Sequence, residues 1–354
     1  MMSKKVKIGI THGDINGIGY EIIIKTLRDN RIFDIGIPIL YGSAKVAAYH
    51  RKAIGIENFS LNNIKSADEA NPKRANLINC ISDDVRVELG KTTKMAGEAS
   101  IAALEAAITD LQENKIDVLV TAPIHKQNIQ SDNFKFPGHT EYLSNKFDSS
   151  GFLMLMISEV MRIGVVTGHI PLSEVPGEIT MELILEKLRI LNNSLIKDFG
   201  IRKPKIAVMG LNPHAGDNGV IGNEEQEIIN PAIEKAREES MMALGPFPTD
   251  GFFGSGQYSK FDAILAMYHD QGLTPFKSLS YEGGVNYTAG LPVVRTSPAH
   301  GTAYEIAGKN EASENAFRKA MYLAADVFNN RVNYQELTQN PLKSSGVITP
   351  EADQ

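Results

Sequence analysis

The stretch VKIGIT at positions 6–11, continued by HGDINGIG at 12–19 and YEIIIKTLR at 20–28, decides the fold. Val6 to Thr11 is a short apolar run closed by a Gly-rich turn, the pattern of a buried strand. Beyond the turn, Ile22, Ile23 and Leu27 recur on one face, which predicts a helix from about Tyr20 to Arg28. A strand, a tight turn and a helix in the first thirty residues announce an α/β protein. The alternation continues outward. Ile37 to Tyr41 reads as a second strand, and Ser43 as the N-cap of a helix through Tyr49. Ala96 to Gln112, rich in Ala and Leu, predicts a further helix. Asp117 to Thr121 is a buried strand running into Ala122-Pro123.

The middle of the chain has a different texture. Phe152 to Ser158 and Met161 to Thr167 are apolar runs split by a short polar break, and they predict a hairpin. Thr180 to Phe199 has the spacing of an amphipathic helix. Lys205 to Met209 is a strand, followed by a loop and a helix from about Asn223 to Glu239. Phe261 to Met267 is another strand, and Glu311 to Phe328 a closing helix. Asn340 to Gln354 is polar with two prolines and reads as a tail. A chain of 354 residues exceeds what one core holds, so two lobes with a central cleft are expected. Their boundaries fall at residues 1–150 with 290–354 for one lobe and 151–289 for the other.

Composition limits the function. The net charge of -6 argues against a protein that grips a phosphate backbone, so no nucleic-acid partner is expected. The single cysteine, Cys80, allows no internal disulfide and no thiolate cluster. No run approaches the roughly 20 apolar residues of a membrane span, and the short run after Lys5 is no signal core. A soluble, cytoplasmic protein without a membrane partner is expected.

Histidine placement carries the chemical signal. Of eight histidines, seven follow predicted strands or sit in Gly, Pro, Asn or Asp loops: His12, His125, His139, His169, His214, His269 and His300. Loops at strand C-termini are where α/β proteins build their sites. Three of these suit a metal. His169 lies in Thr167-Gly168-His169-Ile170-Pro171, His214 in Asn212-Pro213-His214-Ala215-Gly216, and His269 in Met267-Tyr268-His269-Asp270-Gln271. A three-histidine set without thiolates leaves open positions on a divalent ion, the pattern of catalytic sites.

A second group suits an anion. Gly138-His139-Thr140-Glu141 offers an imidazole, a hydroxyl and a helix N-terminus. Lys277, Asn286 and Arg295 stand in a segment otherwise poor in charge, and Lys and Arg bind phosphate or carboxylate through charge-assisted hydrogen bonds. The first turn, by contrast, fails as a nucleotide motif. Gly13-x-x-x-Gly17-x-Gly19 has neither the Rossmann nor the P-loop spacing. The small residues of Ala299-His300-Gly301-Thr302-Ala303 offer a different place for a cofactor to approach the backbone.

Taken together, the motifs resemble one family. They are THGDINGIGYE (11–21), VTAPIHK (120–126), FPGHTEYL (136–143), VTGHIPL (166–172), GLNPHAGDNG (210–219), AMYHDQGLTPFK (266–277), GVNYTAGLPVVRTS (284–297) and SPAHGTAYEIAG (297–308). In this order they resemble the 4-hydroxythreonine-4-phosphate dehydrogenases of pyridoxal phosphate biosynthesis. The resemblance implies an isocitrate/isopropylmalate dehydrogenase-like fold in two lobes, working as a homodimer. It implies metal ligands at His169, His214 and His269, drawn from both subunits, and substrate-binding residues at His139, Thr140, Lys277, Asn286 and Arg295. Lys277 and His139 are the residues expected to serve the chemistry. His300, Gly301, Thr302 and Ala303 resemble the segment that packs on the nucleotide in related decarboxylating dehydrogenases.

The activity implied is oxidation of 4-phosphohydroxy-L-threonine with NAD or NADP and a divalent metal (Zn, Mg or Co). The 2-amino-3-oxo-4-phosphooxybutanoate formed then decarboxylates to 3-amino-2-oxopropyl phosphate. The segment after His214, Gly216-Asp217-Asn218-Gly219, also resembles a sister branch acting on D-threonate or D-erythronate 4-phosphate. From a different class, a non-catalytic binder of phosphorylated metabolites is a third expectation, because fold alone does not fix function.

Overall fold

The computed structural model describes residues 5–130, 134–136, 138–280 and 283–340; most of the predicted tail lies outside them. The strands, in chain order, are β1 (Val6–Thr11), β2 (Gly36–Gly42), β3 (Asn62–Ile64), β4 (Asn76–Asn79), β5 (Val118–Thr121), β6 (Leu153–Ile157), β7 (Arg162–Val165), β8 (Lys205–Met209), β9 (Met242–Phe247), β10 (Ala263–Ala266), β11 (Val285–Ala289) and β12 (Val294–Pro298). They form one sheet in the order β3-β4-β2-β1-β5-β12-β11-β6-β7-β10-β8-β9. The protein is a mixed α/β structure, as the alternation predicts.

The sheet is two parallel blocks joined by antiparallel strands. β3, β4, β2, β1, β5 and β12 run the same way, and so do β7, β10, β8 and β9. Between them the pairs β12–β11, β11–β6 and β6–β7 are each antiparallel. Three reversals leave the two blocks pointing in opposite directions. The first block is built from residues before 122 and after 293, and the second, with its joining strands, from residues 153–289.

Local chemistry explains the elements. In β1, Ile8 and Ile10 are fully buried, as are Val118 and Val120 beside them in β5, because a parallel strand is covered on both faces. The hairpin expected around 152–167 is present as β6–β7, with Met156 opposite Ile163. Thr180 caps the helix Met181–Lys197 by accepting from the Leu183 N–H, and Ser43 and Thr93 do the same for the helices Ala44–Ala53 and Lys94–Gln112. The closing helix differs from expectation. It runs from Asn315 to Gln339, eleven residues past Phe328. The extension has a tertiary cause: Arg331 donates to Asp198 Oδ1 at 2.7 Å and to the Tyr287 hydroxyl at 3.0 Å, closing a buried cluster that polar sequence does not reveal.

The glycines of the first turn serve packing. Gly13 has φ of +70°, and a side chain there would collide with the Pro123 carbonyl. Ile18 N–H donates to the Thr302 carbonyl at 3.0 Å, and a Cβ on Gly17 would sit 2.8 Å from that same oxygen. The turn is therefore clamped between the end of β5 and the loop after β12, which accounts for glycine spacing unlike that of a phosphate loop.

Candidate active site

A cavity of about 410 Å³ opens beside the strands that join the two blocks. Of the residues singled out in the sequence, His139, Thr140, Asn286, Arg295 and His169 line it. Arg295 enters from β12 and is 4% exposed. Its Nε and Nη2 donate to Thr121 Oγ1 at 3.1 and 2.7 Å, and its Nη2 to His139 Nδ1 at 3.2 Å. Burial lowers its pKa to about 10, partly offset by Glu141, so it stays charged at neutral pH.

Among the described residues no carboxylate lies in ion-pair contact with this guanidinium. Its hydrogen-bond partners are neutral, and a buried cation so placed favours an incoming anion.

His139 begins the helix His139–Lys146 and is itself buried. Burial first, and the Arg295 charge second, hold its pKa well below the ordinary value. Because a guanidinium only donates, Nδ1 accepts and the proton of the neutral ring resides on Nε2. The imidazole is thus a neutral donor. Thr140 Oγ1 lies 3.4 Å from Thr288 Oγ1, and Asn286 Oδ1 is buried without a hydrogen-bond partner in the structure. Two further cations line the cavity: Lys126, after β5, and Lys187, from the helix Met181–Lys197. Sequence reading passed over both. Lys126 stands one residue beyond His125 at a strand end, which was a usable signal. A lone Lys187 on a helix has none.

The metal candidates leave the second parallel block on one edge. β7, β10 and β8 are neighbours, and His169, His269 and His214 follow them in that spatial order. The His169 and His269 rings lie 5.5 Å apart between centroids. His269 Nδ1 contacts Asp270 Oδ1 at 2.6 Å, an orienting contact of the kind that fixes a ligating imidazole with Nε2 free. Partial burial, Lys126 and His269 push the pKa of His169 down, which favours the neutral, ligating form. Lys126 Nζ is 3.3 Å from His169 Nε2. His214 stands exposed on a separate turn. Among the described residues, no three His, Cys, Asp or Glu side chains of one chain gather to hold an ion. One chain brings two of the three candidates together, with the Lys126 ammonium against the Nε2 of His169.

Lys277 and His300 line a second cavity, of about 640 Å³, with Ser313 and Asn315. Beside it Gly301 has open space around its α-carbon and Ala303 has φ of +43°. Of the four residues His300 to Ala303, His300 lines the cavity and Gly301 is exposed, whereas Thr302 and Ala303 are half-buried; the small side chains leave room for a cofactor to approach the backbone. His12, by contrast, is fully buried between β1 and the helix Gly19–Leu27, stacked on Tyr20. It belongs to the core.

An α/β fold with a buried cationic pocket lined by His139 and His169, and a second, larger cavity, suits an enzyme acting on a small anion. The chain belongs to the family of the pyridoxal phosphate biosynthetic protein PdxA, whose model matches residues 34–324. It is 54% identical over 345 residues to a 4-hydroxythreonine-4-phosphate dehydrogenase of Bacteroides thetaiotaomicron, covering 97% of this chain and 94% of the relative. It is 38% identical over 330 residues to an Oceanobacillus iheyensis protein provisionally named D-threonate 4-phosphate dehydrogenase, covering 92% and 99%. The crystal structure of 4-hydroxythreonine-4-phosphate dehydrogenase from Klebsiella pneumoniae matches with a TM-score of 0.81 at 31% identity, over 92% of this chain and 98% of that one. These relatives place the chain among the oxidoreductases. No helix of the described residues is long and apolar enough to cross a membrane.

Proposed function

We propose that this protein oxidises 4-phosphohydroxy-L-threonine with NAD or NADP, in the presence of a divalent cation, on the route to pyridoxine 5'-phosphate. The product, 2-amino-3-oxo-4-phosphooxybutanoate, is a β-keto acid that loses CO₂ to give 3-amino-2-oxopropyl phosphate. One observation carries the reading: the buried Arg295, with neutral partners only, faces the same cavity as His139 and His169.

The chain's own groups divide the work. His139, donating from Nε2, and Thr140 at the helix start grip the phosphate. Arg295 neutralises an anionic end of the substrate, and the free Asn286 oxygen accepts a substrate N–H or O–H. His169 and His269 hold the cation from one protomer, with His214 supplied across a homodimer interface. When bound, the cation supplies stabilisation of developing negative charge and the nicotinamide an acceptor for hydride. His300 to Ala303 line the place of the nicotinamide cofactor. Lys277, on the helix His269–Leu279, is assigned substrate binding and the proton acceptor's role from the family pattern; it lines the larger cavity with His300 and not the one lined by His139, Asn286 and Arg295. The lobes are assigned as residues 1–150 with 290–354, and 151–289, a division supported by the two opposed strand blocks. The cytoplasm is the proposed compartment.

A second reading has its own support in the Oceanobacillus relative: oxidation of D-threonate 4-phosphate, which has a hydroxyl where the other substrate has an amino group. The test is direct. Purified protein is incubated with each substrate, NAD⁺ or NADP⁺, and Zn²⁺ or Mg²⁺, and absorbance of the reduced nicotinamide is followed. Turnover of 4-phosphohydroxy-L-threonine in preference supports the first reading, and turnover of D-threonate 4-phosphate alone replaces it with the second.

A further inference from the structure

His214 opens a turn with an unusual backbone. From His214 to Asn218 five consecutive residues have positive φ, at 54°, 51°, 78°, 42° and 57°. Only Gly216 adopts this region freely. L-residues visit it singly, and a run persists only where the surroundings over-determine it.

Backbone bonds close the turn, from Ala215 N–H to the Asn212 carbonyl and from Ile221 N–H to the Gly216 carbonyl, and beneath it lies one buried carboxyl group. Glu225 is 2% exposed. Its Oε1 accepts the N–H groups of Leu211 and Asn212, both at 2.7 Å, and its Oε2 accepts Asn212 Nδ2 at 2.9 Å. A Cβ on Gly216 would fall 2.6 Å from that Oε2, so the turn folds directly over the carboxyl. Glu225 itself heads a π-helical turn, Glu225–Ile229, a local widening often found near functional sites. The anchored strand end is also registered to its neighbour. Gln271 donates from Nε2 to the Gly210 carbonyl at 2.5 Å and accepts the Met267 N–H on Oε1 at 2.6 Å. One side chain thus ties the segment leading to His214 to the segment leading to His269.

We propose that Glu225 is a positioning residue for the cation site: it holds the His214 turn in its left-handed form and so fixes where that imidazole is presented. The proposal rests on the reading of His169, His214 and His269 as ligands. Glu225 touches neither cation nor substrate. Removing it releases the N–H groups of Leu211 and Asn212, leaves the Asn212 amide held only by Glu224 Oε2 at 2.7 Å, and empties the space under Gly216, so the turn loses both its anchor and its floor.

The experiment uses the full chain, stripped of metal, titrated with Zn²⁺ alone by calorimetry, with light scattering and circular dichroism to compare assembly and fold. Glu225→Ala is expected to weaken Zn²⁺ binding about 10- to 100-fold, the usual effect of losing a partner behind a ligand. Glu225→Gln, which keeps one acceptor oxygen, should lose less. The cation concentration for half-maximal rate should rise in step with the lost affinity, while kcat at saturating cation recovers. A purely structural defect would lower kcat without that recovery. His214→Ala separates the two levels. If it binds Zn²⁺ as the unaltered chain does, the ligand reading beneath the proposal falls. If it loses binding while a folded Glu225→Ala keeps it, the proposal alone falls. Should Glu225→Ala fail to fold, Asn212→Ala decides in its place: several-fold weaker binding supports the proposal, and unchanged binding overturns it.

Discussion

Mild acid should destabilise this protein through two histidines that take no part in the proposed reaction. His12 and His50 flank Tyr20 in a buried stack, with ring centroids 5.1 and 5.2 Å from it. Both are fully buried, and burial lowers each pKa to about 4. His50 Nε2 contacts the Ile15 carbonyl at 2.7 Å, so it carries the ring proton. Its Nδ1 is buried without a hydrogen-bond partner, and a proton added there would bring a charge into the core.

The unfolded chain has no such restriction and binds protons at the ordinary value near 6.5. The folded values are depressed, so the unfolded state holds more protons below that value. Stability is therefore full above about pH 6.5 and is lost as pH falls from there toward about 4. Between pH 7 and pH 5 the loss is about 2 kcal/mol per histidine, or about 4 kcal/mol for the pair. Set against a typical total of roughly 5–15 kcal/mol, that is a large share. His139, also held neutral by burial, adds in the same direction.

The assay is urea unfolding at pH 7, 6 and 5 for the unaltered chain and for His50→Gln, whose amide can still donate to the Ile15 carbonyl. The variant should lose about 2 kcal/mol less over the same interval. An identical pH dependence in the two proteins would refute the reasoning.

Three other outcomes are expected. Arg295→Ala should lower kcat/KM by roughly 30-fold or more, the 2–5 kcal/mol scale of a truncated buried charge contact, with a much smaller effect on cofactor binding; unchanged kcat/KM would remove Arg295 from the substrate site. His214→Ala should abolish both turnover and bound cation while the assembly stays folded, checked by elemental analysis and light scattering, and full turnover after chelation would end the metal assignment. Asp198→Ala should destabilise the fold by about 3–5 kcal/mol, because Asp198 is 3% exposed and joins Arg331 and Tyr287; a melting temperature within a degree of the unaltered chain would contradict it.

Much of the architecture was readable because its determinants are local. β1, its turn and its helix follow from apolar spacing, and Ser43 and Thr180 mark helix starts by their own side chains. The closing helix was read short because its last turns are held by Arg331 reaching a residue 133 positions away. The reversal between the two strand blocks was also hidden, since strand direction depends on which strands pair and not on any one segment. The site shows the same division. Histidines at strand ends could be picked out one by one, and His139 and His169 do line one cavity with Arg295. Lys187 could not, because a helical lysine earns its place there only through the strand its helix covers.

The His214 turn shows why a local reading stops where it does. Nothing in Pro213-His214-Ala215-Gly216-Asp217-Asn218 requires four non-glycine residues to take left-handed backbone angles, and intrinsic preference opposes it. The preference is overruled by Glu225, seven residues beyond the end of the turn, whose carboxyl occupies the space under it. A sequence at odds with its own local rules is expected where function sets the geometry. Here the conflict falls on the loop that carries a candidate ligand and on no neighbouring loop of the same edge: Gly168 and Tyr268, which precede His169 and His269, have no positive φ. The two histidines that meet within one chain are presented by relaxed backbone, and the one proposed to serve across a homodimer interface is presented by strained backbone.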